Sequence, residues 1–184
     1  EYADKMDWGR WGSYLVFQNL EQDVAGFWSG LERSIRKAEG EVSFERLVWV
    51  ASRLIGRWPS GWPITLAPDR DPGGEPPKEG LSDSSDPAGS RCPFSAHIRR
   101  TNPRDVVPNR NPGLSRMESA RRALFRRSRA YGSDAFDPTI LQPPYRVGVA
   151  QFLEGLRGVV GSRGLRFVAL NASIRNQFDF VMSA

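Results

Sequence analysis

The first third of the chain carries a short apolar run followed by two helical patterns. The apolar and aromatic run 12–17 predicts a strand. Apolar residues at helical spacing come next and predict a helix, with Asn19 and Gln22 resembling a capping box at its start. These apolar residues are Val24, Phe27, Trp28, Leu31 and Ile35. A second amphipathic helix is expected over about 43–55.

Regular patterns return in the second half of the chain. Segments 123–127 and 164–170 predict strands, and the second would place Leu165, Phe167 and Ala169 on one side. Apolar spacing over 149–160 predicts a helix, and 174–181 a closing helix or turn. The mixed order of strands and helices favours an α+β fold. A ferredoxin-like layer of helices on an antiparallel sheet is the simplest candidate.

The middle of the chain has a different composition. Segment 68–91 is dense in Pro, Gly, Asp and Ser, which predicts a long irregular loop. We therefore expect one domain, 1–184, interrupted by this loop. Loops of this length in compact domains are often functional.

Charge and hydropathy narrow the class of protein. The formal net charge is +5, and only Lys5, Lys37 and Lys78 are lysines, so arginine supplies most of the positive charge. Arginine suits phosphate and carboxylate partners. Mean hydropathy is -0.48 and no apolar run approaches the roughly 20 residues of a membrane helix, which predicts a chain without membrane contact. The single cysteine, Cys92, excludes an internal disulfide and favours a cytoplasmic location.

His97 is the only histidine. The sequence lacks the G-x-S-x-G of serine hydrolases and the glycine-rich loops of nucleotide-binding proteins. Cys92 and His97 alone are too few for a structural zinc site. A lone histidine is most often structural, but it is sufficient as the axial ligand of a haem. Cys92, which precedes a proline, is an alternative thiolate ligand at this stage.

Several segments resemble DyP-type (dye-decolourising) haem peroxidases. The string CPFSAHIRRTNPRD, residues 92–105, resembles the proximal-histidine motif of that family. GSYLVFQNLEQDVAGFW and LIGRWPSGWPI resemble the blocks before it, and RRSRAYG and GLRFVALNASIRNQFDF the blocks after it. The matches occur in the family's order, and the chain resembles its C-terminal half.

The resemblance implies a fold, a cofactor and an activity. The fold is one half of a two-module arrangement of ferredoxin-like units that form an α+β barrel. The cofactor is haem b, and the activity is oxidation of bulky phenolic or dye-like substrates by hydrogen peroxide. His97 would ligate the iron and Arg126 would be the distal arginine. Leu165 and Phe167 would be apolar residues of the distal pocket.

The resemblance also implies roles for other polar residues. Asp179 sits where an acidic residue could accept a hydrogen bond from the proximal histidine. Arg100 and Arg104 are the nearest candidates for the haem propionates, since arginine matches carboxylate geometry. They belong to ten arginines between positions 97 and 129, most of which must form a solvated basic face. A nucleic-acid partner is disfavoured because almost no aromatic residues interleave with this cluster.

The chain also departs from the family. Ser128, Arg129 and Ala130 replace the usual glycine and proline before Tyr131. The family's G-x-x-D-G motif, whose aspartate moves protons on the distal side, is absent. We therefore expect a complementary N-terminal half or subunit, in an oligomer, to supply it. The alternative is a haem-binding or accessory subunit without turnover.

Overall fold

The strands of the fold form one four-stranded antiparallel sheet. The computed structural model describes residues 11–78, 82–105 and 111–183. The strands are β1 (Tyr14–Glu21), β2 (Phe125–Arg126), β3 (Arg129–Tyr131) and β4 (Gly164–Asn171). β4 is the central strand: β1 pairs along one edge over its full length, and β2 and β3 pair along the other.

Six helices accompany the sheet. They are α1 (Val24–Glu39), α2 (Phe44–Ile55), α3 (His97–Thr101), α4 (Pro112–Arg122), α5 (Val149–Arg157) and α6 (Phe180–Ser183). A 3-10 helix covers Pro138–Leu141, and a π-helical turn, Ile174–Asp179, leads into α6. The predicted α+β fold with helices beside an antiparallel sheet is confirmed. No helix in the described ranges is long and apolar enough to cross a membrane.

The predicted capping box at the start of α1 is wrong. Asn19 lies inside β1, opposite Arg166 of β4, so it cannot begin a helix. The Asp23 side chain caps α1 instead, accepting a hydrogen bond from the Gly26 N–H at 2.7 Å. At α2 the Ser43 hydroxyl accepts from the Arg46 N–H, and Gly56 ends the helix in the left-handed conformation.

Aromatic rings join α1, α2 and α5 into a core. Trp28 of α1 and Phe44 of α2 each meet the Phe152 ring of α5 edge-on, at centroid distances of 5.3 and 5.1 Å. Leu47 and Val48 of α2 are fully buried beneath them. Such ring pairs add to the stabilisation that burial of apolar area provides.

The two faces of the sheet differ. The inner face carries Phe167 and Ala169 of β4, and both residues are buried. The Phe178 ring of the π-helical turn packs on Phe167. The outer face carries apolar residues of three adjacent strands that remain in solvent. Leu15, Leu170 and Phe125 lie in one row of this face and Phe17 lies in the next, with exposed fractions of 65%, 42%, 65% and 57%.

α4 and β3 were not predicted, and both have weak patterns. α4 is rich in arginine and buries Ser115 and Ser119, whose hydroxyls donate to the Arg104 carbonyl at 2.6 and 3.0 Å. The helix therefore packs through polar contacts and not through an apolar stripe. β3 has three residues, too few for alternation to show.

Asp86 holds the irregular segment before α3 in place. Its carboxylate accepts hydrogen bonds from the N–H groups of Ser90, Arg91 and Cys92 and from the Ser90 hydroxyl. It also pairs with Arg99 of α3 at 3.1 Å, and both side chains are at most 2% exposed. Arg99 donates further to the carbonyls of Asp86 and Cys92. The pair fixes the segment against the helix that begins at His97.

A second carboxylate, that of Asp105, extends this network. It accepts from the Ser82 hydroxyl at 2.6 Å and the Asp83 N–H at 2.9 Å, and it pairs with Arg116 of α4 at 3.3 Å. The two buried carboxylates thus link residues 82–92, α3 and α4 through polar contacts.

We predict that Asp86→Asn destabilises the fold by about 3–5 kcal/mol, because it leaves the Arg99 charge buried without its partner. The free energy of unfolding from urea titration measures the effect. Glu154→Gln is the control. It removes an exposed ion pair with Arg157 and should cost less than about 1 kcal/mol. A loss from Asp86→Asn no larger than that of the control would contradict the structural role.

The same carboxylate makes stability depend on pH. Burial alone would raise the pKa of Asp86, but hydrogen bonds from the Cys92 and Arg91 N–H groups outweigh it and the pKa is lowered. The stabilisation is therefore complete above the ordinary aspartate pKa of about 3.9, and it is lost as pH falls through the lower folded value. Asp86→Asn should accordingly flatten the loss of stability below about pH 4.

Candidate functional site

His97 begins α3 on a firmly held backbone. Ala96 before it is fully buried, and Arg99 in the same helix is anchored by Asp86. The imidazole itself is exposed, and no described residue hydrogen-bonds to it. An exposed ring on a fixed backbone is available to an external ligand.

The sheet brings three predicted site residues onto one face. Arg126 lies opposite Ala169 of β4. Side chains alternate along a strand, so Leu165, Phe167 and Ala169 lie on the same face of β4. Directly opposed residues in an antiparallel pair share a face, so Arg126 projects from the inner face with the two apolar residues. Arg126 is exposed, Leu165 is half-buried and Phe167 is buried.

The π-helical turn connects this face with the His97 helix. Phe178 lies on Phe167, with ring centroids 6.1 Å apart. α6, which follows the turn directly, lies against α3. His97 and the inner face therefore belong to adjacent layers of the same part of the molecule.

Asp179 ends this turn, between the inner face and α6. Its side chain is exposed, and in the described ranges no hydrogen bond or ion pair joins it to His97. Its neighbour Phe180 lies under the Arg122 guanidinium at 3.5 Å. The predicted contact between Asp179 and His97 stays a prediction.

The two predicted propionate ligands lie in different surroundings. Arg100 is exposed on α3. Arg104 pairs with the buried carboxylate of Asp83 at 3.6 Å. Its backbone has a φ of 52°, a strained value for a residue with a side chain. Burial raises the pKa of Asp83, although the charges of Arg104 and Arg99 oppose the shift.

Three polar atoms on the inner face were not recognised from the sequence. Gln18 Oε1, Ser128 Oγ and Asn171 Oδ1 are buried and have no hydrogen-bond partner among the described residues. The register places Gln18 opposite Phe167, and Ser128 falls beside Phe167 on the other edge of β4. Buried polar groups without partners are costly and rare, so these atoms are expected to bind water or a ligand. The alternation of side chains along the strand, which puts Gln18 on the inner face, is the sequence signal that could have identified it.

A large cleft lies at one end of the sheet. It has a volume of about 740 Å³ and runs between α1, α2 and the segment after β3. Trp28, Ile55 and Trp58 form apolar walls, and Arg57 lies among the lining residues. None of the site residues predicted from the sequence lines it, although Ala130, which lies opposite Leu165 on the inner face, does.

Cys92 lies in the core. Its side chain is fully buried, and burial raises the pKa of the thiol. A buried thiol with a raised pKa is a poor source of thiolate, which disfavours the alternative in which Cys92 binds the iron.

Comparison with known proteins identifies relatives over most of the chain. No family model matches. The chain is 36% identical over 171 residues to the multifunctional dye peroxidase DyP2 of an Amycolatopsis species, and 30% identical over 186 residues to a dye-decolorizing peroxidase of Exidia glandulosa. These alignments cover 92% and 96% of this chain but 32% of each relative.

Solved structures agree with the sequence matches. DyP2 from Amycolatopsis superimposes with a TM-score of 0.67 at 31% identity, over 92% of this chain and 33% of that one. A dye-decolorizing peroxidase in complex with 2,6-dimethoxyphenol gives a TM-score of 0.65 at 29% identity, over 92% and 35%. The chain therefore spans about a third of the length of the relatives it matches.

Proposed function

We propose that the chain forms the haem-binding part of a DyP-type dye-decolorizing peroxidase, like the relatives it matches, with His97 as the iron ligand. The observation that carries the proposal is the shared inner face of Arg126, Leu165 and Phe167, layered through Phe178 and α6 against the His97 helix. The reaction would reduce one hydrogen peroxide to two waters, with two electrons from two molecules of a phenolic or dye-like reductant and two protons, which a phenol releases as it is oxidised.

The donor set of this region fits haem b. An exposed imidazole without a protein partner, an apolar face and arginines for the propionates are the groups that such a cofactor requires. Bound haem would supply the redox-active iron. Arg100 and Arg104 are the candidates for its carboxylates, and Asp179 is the candidate acceptor for the second imidazole nitrogen.

Arg126 would stabilise the negative charge that develops when hydrogen peroxide is cleaved. When the peroxide O–O bond breaks, negative charge develops on the departing oxygen, and a guanidinium aimed at that oxygen stabilises it. Leu165 and Phe167 would keep bulk water from the same region, which strengthens the interaction. A proton must also reach the departing oxygen, and water held by Arg126 can carry it.

One observation favours a second function, that of a haem-binding subunit without turnover. The inner-face positions of β1, β2 and β4 hold no carboxylate, so these strands supply no distal proton carrier. In the peroxidase proposal, either a complementary half or subunit provides this group or water held by Arg126 carries the proton. The two functions differ in whether peroxide reacts rapidly with the loaded chain.

The outer face supports the proposal of a complementary half. Leu15, Phe17, Phe125 and Leu170 form a continuous exposed apolar surface over three strands, which is unusual on a monomer. The relatives are about three times as long as this chain, so they contain further polypeptide that could cover such a face.

We predict that His97→Ala abolishes stoichiometric haem binding, and that added imidazole restores it. The reason is that the chain has no other histidine. Soret titration measures binding, and Cys92→Ala, in the same segment, should leave the wild-type spectrum. An unchanged Soret spectrum in His97→Ala would remove His97 as the ligand.

We predict that Arg126→Leu keeps haem but slows the reaction with peroxide by about 100- to 1,000-fold, equivalent to about 2.7–4 kcal/mol of lost charge stabilisation. Stopped-flow mixing of the loaded chain with peroxide measures the rate. Arg127→Leu, the next residue and on the opposite face, should stay within about twofold of wild type. Equal rates for all three proteins would favour the haem-binding subunit without turnover.

We predict that the chain alone self-associates through its outer face and that Phe125→Lys reduces this association. A charge in the middle of an apolar row opposes its burial. Sedimentation velocity across a concentration series measures it. Leu66→Lys, at a residue similarly exposed elsewhere, should behave as wild type. A wild-type chain that stays monomeric throughout would contradict the proposed interface.

A further inference from the structure

Asp83 carries a buried carboxylate on a firmly anchored main chain. Its N–H donates to the Asp105 carboxylate at 2.9 Å, and its carbonyl accepts from the Asp86 N–H at 2.9 Å. The side chain is 2% exposed, and no described residue donates a hydrogen bond to its Oδ2 atom. The backbone bonds would remain if the carboxylate were replaced, so they do not explain why a charge is buried here.

The positive group that faces this carboxylate is Arg104. Its Nη1 atom lies 3.6 Å from Asp83 Oδ2 and donates to the Asn102 carbonyl at 3.1 Å. No described residue accepts a hydrogen bond from its Nη2 or Nε atom, and the side chain is 22% exposed. The protein thus engages one nitrogen of the guanidinium, whereas the N–H donors of the other two suit a second carboxylate.

The backbone of Arg104 is fixed as well. Its carbonyl accepts from the Ser115 and Ser119 hydroxyls of α4 at 2.6 and 3.0 Å, and its φ is 52°. A strained backbone that the surroundings hold in place motivates the hypothesis of a function. Arg104 lies in sequence between α3, which contacts α6, and α4, which contacts the π-helical turn. It therefore belongs to the region proposed to bind haem.

The carboxylate of Asp83 opposes folding at neutral pH. Burial raises the pKa of Asp83, and the charges of Arg104 and Arg99 reduce this shift without cancelling it. A carboxyl group whose pKa is higher in the folded than in the unfolded chain destabilises the fold once pH exceeds the folded value. An uncharged residue of the same shape would be more stable here, so stability does not account for the aspartate.

We infer that the Asp83 carboxylate positions Arg104 so that the remaining N–H donors of its guanidinium face a carboxylate of the haem. This assignment rests on the proposed function, in which Arg104 is a candidate ligand of the propionates. Asp83 lies outside the histidine motif and is a positioning residue that acts through Arg104. A guanidinium held in place before the ligand arrives loses less conformational entropy on binding, which strengthens binding.

The experiment compares haem with haem dimethyl ester, which lacks both free carboxylates. Dissociation constants are measured by Soret titration for the wild-type chain, Asp83→Asn, Arg104→Gln and the double variant. We expect Asp83→Asn to weaken haem binding by about 10-fold and Arg104→Gln by about 10- to 100-fold, with ester binding unchanged. The double variant should bind haem as Arg104→Gln does, because Asp83 acts only through Arg104. Glu154→Gln, which removes an exposed carboxylate paired with Arg157, should match wild type.

A second measurement separates positioning from a structural role. The free energy of unfolding of the unloaded Asp83→Asn chain at pH 7 should be at least that of wild type, whereas loss of a structural carboxylate would lower it. A lower value overturns the inference, and so does an Asp83→Asn chain that binds haem as tightly as wild type or more tightly.

The remaining outcomes are also decisive. If Asp83→Asn weakens haem binding further in the Arg104→Gln background, Asp83 does not act through Arg104 and the inference is wrong. A wild-type chain that binds haem and its ester equally overturns the propionate role of Arg104 but not the role of His97. A wild-type chain that binds neither overturns the proposed function itself.

Discussion

The buried ion pair between Asp86 and Arg99 is the interaction on which the proposed site depends. A segment rich in proline, glycine and serine has little apolar area with which to pack. The carboxylate compensates by collecting N–H donors from Ser90 to Cys92 and one guanidinium from α3. The cost of burying both charges is offset only because almost every polar atom finds a partner. α3, a helix of five residues, could not hold its orientation by itself.

The same arrangement explains why polar residues occupy positions where a helix would ordinarily present an apolar stripe. α4 packs by the hydroxyls of Ser115 and Ser119 on the Arg104 carbonyl, and Asp105 draws Arg116 of the same helix towards residues 82 and 83. Directional hydrogen bonds fix orientation more narrowly than apolar contact does. The proposed site, which would place one imidazole and several guanidinium groups, would benefit from that precision.

The sequence predicted the elements that have a clear apolar periodicity and the segments that resemble family motifs. The strongly patterned α1, α2, α5 and β4 were expected at nearly their observed bounds, and alternation along β4 correctly placed Leu165 and Phe167 on one face. The position of Arg126 on that face required the register between β2 and β4, which no local pattern contains.

The two faces of the sheet differ in the contact that each leaves unmade. One face exposes apolar side chains, and the other contains buried polar atoms. The outer face exposes hydrocarbon, which polypeptide can cover. The inner face contains buried oxygen atoms of Gln18, Ser128 and Asn171 that have no hydrogen-bond partner among the described residues, and hydrocarbon cannot satisfy them. A polar group, water included, satisfies atoms on the side of the sheet that leads to His97, whereas an apolar surface covers the other side. A chain that spans about a third of its relatives can have both an exposed apolar face and a face with buried polar atoms, because in the relatives the matching segment belongs to a longer polypeptide.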